Sequence, residues 1–149
     1  MEQLITGMPK FKSAEEELAF LREHVAKREY SLRQEGIPQK GEDITADVLE
    51  EYREAEVEEV LHPDMTLPEL KQEQIVLRLK PEDHDKNIEE LLGILMEHGI
   101  KNALAVLDKM NNPHLDDDFH RFLVQFMHSG QVLADLKKET PLWKTLHMT

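Results

Sequence analysis

The chain has 149 residues, no cysteine, 31 acidic and 18 basic side chains, and a formal net charge of −13. A single domain of this size can bury roughly 70% of its unfolded surface, so one core suffices without staples. Lack of cysteine excludes disulfides, thiolate catalysis and cysteine-bound zinc, and the acidity sets the chain against polyanions, whose binding rests on Lys and Arg.

A basic protein partner, or plain solubility, accounts for the acidity more simply than direct nucleic-acid binding. No apolar run approaches the ~20 residues of a membrane span. Met1 to Lys12 lacks the layout of a signal peptide. The expected location is cytoplasmic.

Residues 1–12 read as a flexible lead-in. Ser13 and Glu16 then have capping-box spacing. Leu18, Leu21, Val25 and Leu32 recur at helical steps, and Gly36 with Pro38 closes the segment. The pattern predicts a helix over 13–35. Arg28 falls on its apolar seam, which argues against a coiled coil.

A turn-rich stretch, 37–43, leads to a second expected helix over 45–61, rich in Glu50, Glu51, Glu54, Glu56, Glu58 and Glu59. His62-Pro63 ends it, since a residue before proline avoids helical geometry. Thr66 and Pro68 open a third segment. Its end, 75–79, suits either a helix or a short strand; the polar lead-in favours helix.

The clearest periodicity lies between Pro81 and Gly130. Pro81 suits a first helical position. Ile88, Leu91, Leu92, Leu95 and Met96 share one face up to Gly99. Ile100, Ala103, Leu104, Leu107 and Met110 form the next, closed by Asn111-Asn112-Pro113. Asp116 is the expected N-cap of a helix with Phe119, Phe122, Leu123, Phe126 and Met127 inside. A weak helix over 131–138 and a tail with Trp143 follow.

Few residues carry chemistry. There is no glycine-rich phosphate loop, no nucleophile elbow and no calcium loop. Glu59 with His62, and Asp117 with His120, each place a carboxylate three residues before a histidine, on one helix face. Helical di-iron bundles use related pairs, so these four residues are the metal-site candidates and a metal-dependent helical-bundle enzyme is the alternative reading. Helix-end charges explain them more simply. Phe119, Phe122 and Phe126 sit at core spacing. Trp143 with Leu142 either docks on the body or anchors a partner.

The run GIKNALAVLDKMNNPHLDDDFHRFLVQFMHSG, 99–130, together with PLWKTLHMT at the end, resembles a segment of large proteins of candidate-phyla bacteria, similar to type IV secretion or conjugative DNA-transfer ATPases. The resemblance spans about 13–149. It implies a non-catalytic helical piece preceding a longer chain; the apolar ending, Leu146 and Met148, agrees with that. The chain has no Walker A lysine loop, so ATPase activity carries over to no residue.

The expectation is an all-α, multi-helix domain: a compact C-terminal helical-hairpin core within 63–149, ending in a short tail, and two longer acidic helices within 13–62. The expected function is a non-catalytic protein-interaction or accessory module without a cofactor.

Overall fold

The computed structural model describes residues 10–137. They form an all-α bundle of seven α-helices and a closing 3-10 turn. The helices are α1 (Ala14–Gln34), α2 (Gly41–Glu54), α3 (Val57–Val60), α4 (Glu69–Arg78), α5 (His84–His98), α6 (Ile100–Met110) and α7 (Pro113–Ser129). None is long and apolar enough to cross a membrane among the described residues.

α1 starts as its sequence requires. The Ser13 hydroxyl accepts from the Glu16 amide at 3.1 Å, and the Glu16 carboxylate reaches back to the Lys12 amide at 2.7 Å. Both interactions satisfy amides that have no partner within the helix. Leu18, Leu21 and Val25 are buried. Arg28 on the same seam meets Glu51 of α2 through two 2.9 Å hydrogen bonds, and so ties the two helices together.

The expected second helix is in fact two. It begins at Gly41 rather than Thr45, and Glu42 and Asp43 occupy its first turn, where the helix dipole favours them. It stops at Glu54, because Ala55 and Glu56 are extended; only Val57–Val60 resumes. Two forces favour the break. Glutamates crowded within one turn repel each other. The Lys101 ammonium also draws off the Tyr52 and Arg53 carbonyls, at 3.2 and 2.7 Å. Leu61 then pairs with Phe11 in an isolated parallel bridge, made of Phe11 N–H to Val60 O and His62 N–H to Phe11 O, both 2.8 Å.

Residues 75–78 are helical, within α4. Pro81 is not a first helical residue: it lies in a turn, and α5 starts at His84. The turn is held by Asn87, whose amide donates to the Lys80 carbonyl at 2.9 Å. α7 also begins before its expected Asp116 cap. Asn112 caps it by accepting from Leu115 N–H at 3.2 Å, and Pro113 takes the first position, where a missing N–H costs nothing. The expected helix over 131–138 is a 3-10 turn, Leu133–Lys137.

α6 packs against α5 and α4, while α2 packs against α7 and α1. Tyr52, Phe119, Phe126, Leu91, Leu95, Leu104 and Leu107 are fully buried. One continuous cluster of buried side chains runs from Phe11 to Leu133. The acidic N-terminal helices therefore contribute Leu21, Val48, Leu49 and Tyr52 to the interior that the sequence assigned to the C-terminal hairpin.

Candidate functional site

The most unusual chemistry lies at the α5–α6 corner. Gly99 links the two helices with φ +93°, a left-handed value that L side chains rarely adopt. The N-terminus of α6 therefore has no side chain of its own to cap it. Glu17 of α1 supplies the cap from across the bundle. Its carboxylate accepts from Ile100 N–H at 2.5 Å and Lys101 N–H at 2.9 Å, and from the Tyr52 hydroxyl at 2.5 Å. Glu17 is wholly buried. Burial pushes its pKa from 4.5 to about 7, against the pull of Tyr52, the two amides and Lys101. Burial and the neighbouring Glu17 charge push the Tyr52 hydroxyl strongly upward, so it stays a proton donor.

Lys101 performs the complementary task. Nearly buried, it places its ammonium on the Tyr52 and Arg53 carbonyls in the last turn of α2. Desolvation lowers its pKa, while Asp108, Glu56 and Glu17 favour its charge. Arg22 of α1 does the same for α7, donating to the Phe126 and Met127 carbonyls at 2.7 and 3.1 Å with its guanidinium over the Phe126 ring. A carboxyl group thus closes one helix N-terminus and two cations close helix C-termini, each supplying the hydrogen-bonding partners that the helix end lacks. Asn102, also buried, bonds Leu67 N–H, Met65 O and His98 O, and pins the 61–68 loop to α6.

The surface chemistry is acidic. A groove of about 290 Å³ at the α6–α7 corner is lined by Asp108, Asn111, Asn112, Asp116 and Asp117. The Arg53 guanidinium bonds Asp108 and Asp116 at its edge, at 2.5–3.0 Å. Those hydrogen bonds, that to Asp116 foremost, raise the Arg53 pKa against desolvation. On the far side of α7, His84 meets Asp118 at 2.7 Å, with Arg121 on the other carboxylate oxygen at 3.1 Å. Burial alone would raise the Asp118 pKa; His84 and Arg121 reverse this and hold it below the usual aspartate value.

The candidates read from sequence are scattered. Glu59 is exposed, and His62 accepts from the Asp64 amide at 3.1 Å. Asp117 is exposed at the groove. His120 is half-buried, with its pKa lowered first by desolvation and then by Arg53. Among the described residues no group of three or more His, Asp or Glu side chains could hold a metal ion. Leu142 and Trp143 lie outside the described residues. The sequence reading missed Glu17, Lys101 and Arg53. Glu17 precedes Leu21 by one helical step and Lys101 precedes Leu104 likewise, so both lie beside apolar stripes. Polar residues in such places, like Arg28, mark interior partners. No protein-family model, no curated protein and no solved structure matches the chain.

Proposed function

We propose that the chain is a non-catalytic protein-binding module whose acidic surface receives a basic partner. One observation carries this reading: at the edge of the α6–α7 groove Asp108 and Asp116 already bind the Arg53 guanidinium, while Asp117 stands exposed at its wall. A partner's arginine or lysine meets the same carboxylate chemistry there. The interior supports it too, since Glu17, Lys101, Arg22 and Asn102 bond backbone groups rather than line a reaction cleft. The resemblance of 99–130 to secretion and DNA-transfer proteins suggests the setting, an accessory piece of such a machine. A cytoplasmic location belongs to the same proposal.

The test is titration with a short arginine-rich peptide at physiological salt. Asp117→Asn should weaken binding more than Glu58→Gln, which removes the same charge from an exposed position on α3. Equal losses would reduce the groove to one patch of a uniformly acidic surface. Absence of binding at low salt would overturn the basic-partner reading.

A further inference from the structure

α4 is built differently from the other long helices. Its inner side rests on the half-buried Ile75 and Val76 and on Gln72, whose amide donates to the Leu67 carbonyl at 2.9 Å. Its outer side carries Leu70 and Leu77, 67% and 85% exposed. Seven residues apart, they lie two turns from each other and within about 20° around the helix axis, with the exposed Glu73 and Gln74 between them, one to each side of the line. Two leucines aligned in water on one helix are an apolar stripe that nothing in the described residues covers.

The flanks of that stripe differ in sign. Glu69 and Glu73 follow one side, Lys71 and Arg78 the other. Glu69 is matched by Lys109 at 3.2 Å and Arg78 by Glu90 at 3.3 Å. Glu73 and Lys71, both exposed, have no ion-pair partner among the described residues. The stripe thus has one acidic and one basic edge still to be matched.

We propose that the outer face of α4 is a docking strip for one amphipathic helix of another protein, which covers Leu70 and Leu77 with its apolar face. The basic flank of that helix meets Glu73 and its acidic flank meets Lys71. The inference rests on the reading of the chain as a protein-binding module but does not use the acidic groove. A second copy of this chain fits less well, because two bodies of charge −13 repel. An anionic membrane is repelled likewise.

The probe is a synthetic, net-neutral helix with leucines at every third or fourth position, lysines on one flank and glutamates on the other. Its control is a shuffled isomer in which the leucines share no face. Fluorescence anisotropy at physiological salt should show saturable binding of the striped peptide, at least about tenfold tighter than the shuffled one. Leu77→Asp should abolish it while the helical circular dichroism stays unchanged. Glu73→Lys should weaken binding, and adding Lys71→Glu should restore it, because the peptide can then bind end for end.

Equal binding of both peptides, or no effect of Leu77→Asp, overturns the strip and leaves the acidic-groove reading standing. Failure of the striped peptide together with failure of the arginine-rich peptide removes both. Three other results also overturn the proposal: self-association by sedimentation that Leu77→Asp abolishes, flotation with vesicles of equimolar phosphatidylcholine and phosphatidylserine, or Overhauser contacts from Trp143 to Leu77 in the free monomer.

Discussion

The Gly99 corner and the outer face of α4 invert the usual rule in opposite directions. At the corner a carboxylate and an ammonium are buried; on α4 two leucines face water. Each inversion has a local reason. Helix ends carry unsatisfied amides and carbonyls, and where three helices meet without room for water, a charge from a neighbouring helix is what can satisfy them. α4 has no such need. Its inner side packs against α6 and the core, and its outer leucines satisfy nothing within the described residues. The buried polar groups here serve the ends of helices, whereas the exposed leucines form the strip proposed above for recognition.

The comparison is broken most forcefully at Glu17. Glu17→Ala leaves the Ile100 and Lys101 amides and the Tyr52 hydroxyl without their acceptor in a dry interior. The loss should be about 3–5 kcal/mol in urea unfolding. A loss under about 1 kcal/mol would mean that water reaches the corner and that the cap is dispensable.

The same residue sets a pH dependence of unusual sign. The folded form holds the Glu17 proton up to about pH 7 and the unfolded form only to about 4.5. Between those values the folded state binds more protons, so this group's contribution to stability falls as pH rises, by up to about 3 kcal/mol. His120 acts oppositely: its lowered folded pKa means stability is lost as pH falls through 6.5 and below. Glu17→Gln therefore isolates the effect. The difference between wild type and variant should slope across pH 4.5–7, and a flat difference would refute the raised pKa.

Next comes Gly99→Ala. A Cβ there would lie 2.5 Å from a Glu17 carboxylate oxygen and 2.8 Å from the Met65 methyl, at a φ that already strains any L residue. We expect a loss of about 2–4 kcal/mol in thermal or urea unfolding. The smallest effect belongs to α4: Leu77→Asp should change stability by no more than about 0.5 kcal/mol, since the side chain makes little internal contact.

Much of the fold was legible, for physical reasons that also mark where legibility stopped. The faces of α5, α6 and α7 follow from Leu91, Leu95, Leu104, Leu107, Phe119 and Phe126, all at helical spacing and all buried. Local caps misled at two starts: Asn112 with Pro113, read as the close of one helix, caps the next in place of Asp116, and Pro81 stays in a turn because Asn87 holds the Lys80 carbonyl. The crowded glutamates near the break in the second helix are visible locally, but the second influence on it, Lys101, lies far along the chain where no local pattern reveals it. The partners at the N-terminus of α6 and at the C-termini of α2 and α7 are likewise tertiary. Glu17 and Arg22 share α1 with ordinary surface acids and bases, and only the packing of α1 on other helices separates them.

Native-state hydrogen exchange tests the long-range caps most directly. Amides in the first turn of a helix have no partner within it and ordinarily exchange fast. Here the Ile100 and Lys101 amides should exchange only through global unfolding, more slowly than the amides of Ile75 to Arg78 in α4, and Glu17→Gln should speed them selectively. Rapid exchange at Ile100 and Lys101 in the unmodified protein, matching or exceeding that of α4, would contradict the account.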